Sequence, residues 1–461
     1  MASPSPLPHP LSNKHIVVAG AGISGLAFAI SLHKLWPSVS SSLPPRITLY
    51  ERDPCAVPKH REGYSLSIRS DNPSAGIQTL QKMGMLDLMM ERSIATSGEQ
   101  SDKKEGGYCV WKVSSEAGAD GKGRTWDRVL KIASKRPDGC PVAGLRIARA
   151  ELRRTLAEAV EQLPSVEIRW DSPISSISLS ADKTIVVHQP NGATDTADLL
   201  IAADGSGSKI RSLLRPSDTL QFAGPTCIYA RCPIADLHPS GDASEYGSVI
   251  SGHGHGLFIA PVDHKSMVWC LSWHVGSPPL ARKQPMPPHE SEALLQEARQ
   301  QGLSVYGERF ENLLQSTDLN TVTKFNALDK PVFPHSTGYI QESSFAGLEG
   351  KVMFMGDANH AVSPFAGNGA NLAMMDGWDF AESLVQTSHS SHESDEKDQG
   401  EFEDYLKNSI NRYDSLAVGR AQKVIRMSRF SMKVMHSQGW WTNLWFTILR
   451  VMQWLFFRAV D

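Results

Sequence analysis

The chain has 461 residues, with 46 Lys+Arg against 49 Asp+Glu for a formal net charge of −3, and 41% of it is hydrophobic. Such a composition excludes a mainly disordered, collagen-like or polytopic membrane chain, and the basic excess that a dedicated nucleic-acid binder needs is missing. The length fits about three domain equivalents or one two-lobed enzyme fold.

The first ten residues carry four prolines and no apolar run, so no secretory peptide is read there and a frayed leader is expected. His15 to Gly20 is a short apolar run of the kind buried on both faces of a parallel sheet. The turn Gly20-Ala21-Gly22-Ile23-Ser24-Gly25 follows, then a helical stretch from Leu26 to Trp36 that Pro37 stops. A Ser/Pro linker leads to a second strand, Arg46 to Glu51. Strand, glycine turn, helix, strand and acid is the order of a dinucleotide-binding unit.

Val166 to Trp170, Ile174 to Leu179 and Thr184 to His188 read as strands, and Asp198 to Ala203 as another buried one. The alternation from Gln221 to Val275 predicts an antiparallel sheet in a second lobe. Helices are expected over His289 to Gln300 and Gly307 to Gln315, and a further core strand over Lys351 to Met355. Ser388 to Glu401 reads as a solvated insert. Six cysteines (Cys55, Cys109, Cys140, Cys227, Cys232, Cys270) are scattered without a C-x-x-C or zinc-like spacing. Reduced thiols in a cytosol-facing protein are expected, with no disulfide framework and no metal site.

The glycine turn has a defined task. Gly20 makes the tight bend, Gly22 lets backbone approach a pyrophosphate, and Gly25 lets the helix pack against the strand, so that bare N–H groups face the phosphates. Ser24 lies within that turn, and Glu51 is placed to accept bonds from a ribose. Two further signals sit at strand ends. Asp204 to Arg211 fits D-G-x-x-S-x-x-R, and Gly356 to Asn371 fits G-D-A-x-H-x-x-x-P-x-x-G-x-G-x-N. Backbone N–H groups in a turn that opens a helix can hold negative charge.

On these motifs the stretch from about Lys14 to Arg420 resembles the single-component FAD-dependent aromatic hydroxylases, including p-hydroxybenzoate and salicylate hydroxylases, tetracycline-inactivating and fungal biosynthetic monooxygenases. The resemblance implies an α/β fold: an FAD-binding Rossmann-type domain over residues 12–80, 140–215 and 345–387, an antiparallel-sheet substrate domain over 81–139 and 216–344, and C-terminal helices over 402–461. It implies FAD held by Gly20, Gly22, Ser24, Gly25, Glu51, Gly63, Arg149, Asp204, Asp357, Pro364, Gly367, Gly369, Ala370 and Asn371. Arg52 is open between a solvated charge and a contact to nicotinamide nucleotide. Tyr413 and Arg420 only loosely match the family's last helix and receive no role.

The resemblance further implies NADPH or NADH as a transient reductant, O2, and a small hydrophobic, aromatic or polycyclic substrate of secondary metabolism. An oxidase, dehydrogenase or Baeyer–Villiger enzyme on the same scaffold, or a non-catalytic flavin-binding partner protein, are the alternatives. Only one nucleotide fingerprint exists, which suits one resident flavin, and no G-W-x-W-x-I-P string points to a halogenase. Substrate-facing candidates are Tyr229, His253, His255, Phe258, Trp269 and Trp273, with core packing as the competing reading for the tryptophans. His360 reads as orienting its loop. Residues 440–458 are apolar and aromatic except for a stripe through Asn443, Thr447, Arg450 and Gln453. An in-plane anchor on an internal membrane and a helix packed on the protein are both open.

Overall fold

The computed structural model describes residues 8–38, 43–57, 64–71, 73–98, 107–114, 123–132, 136–182, 184–234, 237–240, 244–280, 286–335, 338–387 and 398–456. Five strands form a parallel sheet in the order Val352–Phe354, Leu199–Ala202, His15–Ala19, Arg46–Tyr50 and Val166–Arg169. Side chains alternate across such a sheet, and this one is apolar on both faces. Val18, Leu49 and Ile201 pack towards the helix Ile23–Leu35, while Val17, Leu200 and Phe354 pack on the other side. The helix Gly369–Gln386 lies against Ile23–Leu35. A Cβ at Gly377 would stand 2.6 Å from the Phe28 backbone nitrogen, so this glycine sets the approach of the two helices.

Seven strands form the second sheet, in the order Thr323–Asp329, Gln221–Pro233, Ser266–His274, His255–Pro261, Glu245–Ile250, Gly107–Val113 and Trp126–Ile132. Neighbours run antiparallel except Glu245–Ile250 and Gly107–Val113, which are parallel. The expected antiparallel sheet is thus extended by a hairpin from a distant part of the chain. Met267, Trp269, Leu271 and Trp273 alternate onto its outer face. There they meet Leu294, Ala298, Phe310 and Leu313 of the helices Pro288–Tyr306 and Glu308–Gln315. The opposite face turns to the first lobe, where Val268 clusters with Ala148, Tyr229 and Phe258.

A small sheet of Ser65–Arg69, Val142–Ala148 and Ile94–Gly98 joins the lobes, and Ser65 Oγ donates to the Pro261 carbonyl at 2.6 Å. Two stretches expected in the second lobe pack with the first. Met83, Leu86 and Met89 enter the core around Ile23–Leu35, and Tyr339 and Ile340 pack behind the parallel sheet. The 38-residue helix Asp398–Met435 follows Gly369–Gln386, so residues 398–401 are helical rather than part of an insert; 388–397 lie outside the described residues. The helix Trp440–Phe456 ends the described chain.

Candidate functional site

The three motif turns meet at the carboxyl ends of the parallel strands. Gly20 has φ +106°, and a Cβ there would lie 2.5 Å from the Ala203 carbonyl oxygen, immediately before Asp204. At Gly25 a Cβ would lie 2.2 Å from the Gly20 carbonyl oxygen, and at Gly356 it would lie 2.9 Å from Ser24 Oγ. Only glycine fits these approaches. Gly22 keeps its nearest neighbour at 3.9 Å, leaving bare backbone at the start of the helix.

Glu51 is buried beside that turn. Its oxygens accept from the backbone N–H groups of Ala21 and Asp53, each at 2.9 Å. Arg153 stands 3.0 Å from Glu51 and 2.7 Å from Asp53 and donates its Nε to the Ala21 carbonyl at 2.9 Å. The sequence pattern pointed to Arg149 and missed Arg153, one helical turn later on the same face of Arg149–Glu161. Arg149 itself lies over the Tyr64 ring, 5.6 Å from its centroid. Arg52 is exposed, and Gly63 lies outside the described residues.

At the second turn, Asp204 accepts from the backbone N–H of Lys209 at 2.7 Å, while its other oxygen is buried without a protein partner. Burial pushes this carboxyl up. Arg211 is buried and donates to the carbonyls of Ser206, Asp218 and Ala358, so it ties the second turn to the third. In the third turn Asp357 is open to water although its neighbours Ala358, Asn359 and His360 are buried. Burial pushes its carboxyl up against the opposing pull of His360, Arg149 and Arg211. A side chain surrounded by protein yet reachable by water lines a cleft, and Tyr64, 39% exposed with its phenol raised by burial, lines the same one.

Pro364–Ala366 forms a short turn, Gly367 takes φ +63°, and Gly369 and Ala370 open the helix Gly369–Gln386. Asn371 is fully buried: its Nδ2 donates to the Ser67 carbonyl at 2.8 Å and its Oδ1 accepts from the Arg69 N–H at 2.9 Å. Its amide is thus spent on the Ser65–Arg69 strand. His360 Nε2 lies 2.6 Å from Asp376 Oδ2, which also accepts from the Gly356 N–H at 2.9 Å. Burial works to raise the Asp376 carboxyl, but His360 and Arg420 hold it down to about 2. Arg420, left without a role by the sequence, clamps Asp376 at 3.0 Å and Asp379 at 2.6 Å.

The substrate-facing candidates divide. Tyr229 stands edge-on to Tyr64 at 6.2 Å and to Phe325 at 5.8 Å, and burial pushes its phenol up to about 12. Phe258 joins the same cluster with Tyr108 and Tyr246. Trp269 is fully buried on the outer face and donates Nε1 to Thr317 Oγ1 at 3.0 Å, and Trp273 shares that core. His255 reaches Gln301 on the outer helix at 3.2 Å, and His253 is exposed beside Gln438. Trp269, Trp273, His253 and His255 therefore do not face the cleft, because alternation fixes which residues share a face but not which face looks inward. Tyr64, Tyr108 and Tyr246 were missed. So was Arg146, a buried cation held by Ser65 and Ser67 and lying 4.8 Å over the Tyr246 ring.

These residues fit FAD. The cramped glycine turn could offer backbone N–H groups to a diphosphate, Glu51 beside it could accept from a ribose, and the Asp204 oxygen without a protein partner and the cleft-facing Asp357 could accept from hydroxyl groups. Among the described residues no group of three or more His, Cys, Asp or Glu is placed to hold a metal ion.

Residues 57–399 match the family described as FAD binding domain. The chain is 29% identical over 438 residues to Monooxygenase cfoF of Aspergillus candidus, covering 93% of each chain. It is 26% identical to the chloroplastic zeaxanthin epoxidase of Solanum lycopersicum, over 83% of this chain and 50% of that one. In fold it is similar to HpxO of Klebsiella pneumoniae, solved as a point variant complexed with FAD (TM-score 0.67, 17% identity, 95% and 94% of the two chains). It is likewise similar to the tetracycline destructase Tet(55) (TM-score 0.63, 17% identity, 96% and 97% covered). The chain belongs to the FAD binding domain family and is an FAD-dependent monooxygenase.

Proposed function

We propose that the enzyme uses NAD(P)H and O2 to hydroxylate or epoxidise a hydrophobic, aromatic or polycyclic molecule of secondary metabolism. The observation that carries this reading is the inner face of the second sheet. Tyr108, Tyr229, Tyr246 and Phe258 form an aromatic floor opposite Tyr64 and the Asp357 turn, and Trp269 and Trp273 are turned away from it. Bound FAD supplies the redox and oxygen chemistry. The protein positions and shields: the phenols of Tyr64, Tyr108 and Tyr229 are neutral near neutral pH, burial raises each further, and the Tyr108 hydroxyl is held by Ser248 Oγ at 2.7 Å. Gly20, Gly22, Ser24, Gly25, Glu51 and Asp204 would hold the nucleotide, with Asp357, Pro364, Gly367, Gly369 and Ala370 at the flavin end. The backbone N–H groups of Asp357, Gly367, Gly369 and Ala370 would favour negative charge there, while Pro364, which has none, fixes the turn.

The relatives named monooxygenase and epoxidase support oxygen insertion over a plain oxidase. Cytosolic location, with peripheral contact to an internal membrane through residues 440–458, belongs to the same reading. Screening phenolic and indolic compounds for stimulated NAD(P)H oxidation, with product mass measured under labelled O2, tests it. Incorporation of one labelled oxygen atom is expected; stimulated oxidation with no label in the product would overturn it.

A further inference from the structure

The helix Trp440–Phe456 divides into three faces. Thr442 and Phe446 are buried, and Phe446, Trp445 and Leu449 pack with Val110, Leu130, Ile250 and Val434 of the protein. Asn443, Thr447 and Arg450 form an exposed polar stripe. Trp440, Trp441, Leu444 and Val451 form the third face, and each is between 39% and 64% exposed. At 3.6 residues per turn these four fall within a sector of about 100°. Phe430, half exposed on the preceding helix, stands edge-on to Trp445 at 5.3 Å and widens the patch. Solvated single hydrophobics are ordinary, but a contiguous patch of this size marks a partner surface.

Charge says which partner. From Ala421 to Phe456 the chain carries Lys423, Arg426, Arg429, Lys433 and Arg450 and no Asp or Glu. All five cations are exposed, and among the described residues only Arg429 is paired, with Asp329. A second copy of this surface would bring like charge to like charge. An anionic lipid surface brings the opposite sign and accepts stacked indoles at headgroup depth, such as Trp440 and Trp441 with centroids 4.0 Å apart. Among the described residues no helix is long and apolar enough to cross a membrane, and one face of this helix is already committed to Phe446 and its neighbours.

We propose that this helix lies flat on an anionic bilayer, with Trp440, Trp441, Leu444 and Val451 inserted at the interface and Lys433 and Arg450 among the lipid phosphates. The proposal deepens the peripheral membrane contact and does not depend on which molecule is oxygenated. Full-length, FAD-loaded protein is sedimented with phosphatidylcholine vesicles and with vesicles that also contain phosphatidylserine, at physiological salt. Partitioning at least about tenfold stronger on the anionic vesicles is expected. It should be lost both in Trp440→Ser/Leu444→Ser and in Lys433→Glu/Arg450→Glu, while flavin absorbance and thermal midpoint stay unchanged. No sedimentation, or equal binding to both vesicles, would overturn the proposal. So would a dimer in analytical ultracentrifugation that the Trp440/Leu444 variant dissolves, because a second copy would then be the occupant. Labelled-oxygen incorporation in the absence of vesicles reads the oxygenation reaction separately.

Discussion

The Arg153 guanidinium lies 3.0 Å from Glu51 Oε2, with both side chains buried beside the glycine turn. The pair fixes the acid that would face the ribose, and the two members fail differently. Arg153→Met leaves Glu51 and Asp53 buried without a counter-charge, which costs about 3–5 kcal/mol of stability. A lowered thermal midpoint of the apoprotein is the expected result. Glu51→Gln keeps the shape but gives up the charged acceptor, and FAD affinity should fall on the order of tenfold or more. Flavin fluorescence during reconstitution of apoprotein reads it directly; unchanged affinity would remove Glu51 from the nucleotide site.

Gly25→Ala places a methyl 2.2 Å from the Gly20 carbonyl oxygen, a backbone atom that cannot swing aside. Overpacking of a tight site costs about 1–3 kcal/mol or more, and here it also displaces the helix start that would face the diphosphate. The variant should purify with far less flavin than wild type. Gly22→Ala, with its nearest neighbour at 3.9 Å, should fold normally and lose FAD binding only. Flavin-to-protein absorbance ratio and thermal melting separate the two outcomes.

The two faces of the second sheet predict opposite phenotypes. Trp269→Ala empties a core position against Phe310 and should cost about 3–5 kcal/mol without altering how the folded fraction handles substrate. Tyr229→Phe removes one hydroxyl at the cleft and should leave the melting temperature nearly unchanged. It should change KM or kcat for whichever compound stimulates NAD(P)H oxidation. Identical kinetics for Tyr229→Phe and wild type on that compound would take Tyr229 out of the substrate wall.

The parallel sheet and its glycine turn were legible, because short-range spacing encodes strand, turn and helix directly, whereas the convergence of Gly20, Asp204 and Asp357 followed only from the family resemblance. Side-chain partners brought together by packing were not. Arg153 and Asp376 carry no motif that distinguishes them from solvated charges, and each acquires meaning only when a helix docks. The orientation of the second sheet was equally hidden. Trp269 and Tyr229 both sit on strands with clean alternation, and the helices Pro288–Tyr306 and Glu308–Gln315 decide which side becomes core. Likewise Asn371 sits in a motif that reads as a flavin loop, yet its amide completes the edge of Ser65–Arg69.

His436 makes the protein's stability depend on mild acid. It is buried where the long helix meets the second sheet, its Nε2 2.9 Å from Ser272 Oγ and its Nδ1 2.8 Å from the Met432 carbonyl, with the His274 ring at 4.9 Å and Phe365 of the Pro364–Ala366 turn at 5.5 Å. Burial lowers its pKa from 6.5 to about 4. The unfolded chain therefore takes up this proton before the folded one does, and folding stability falls as pH drops from 6.5 towards 4. At about 1.4 kcal/mol per unit, the loss at this site reaches at most about 3.5 kcal/mol. His335, also lowered by burial, adds to the same slope, whereas the contribution of Asp376 disappears only below about pH 4. Comparing His436→Gln with wild type cancels these shared terms. Urea unfolding at pH 7, 5.5 and 4.5 should show a shallower decline in the variant, and FAD release on acidification should shift to lower pH because Phe365 keeps its neighbour. Parallel declines in the two proteins would place the acid sensitivity elsewhere.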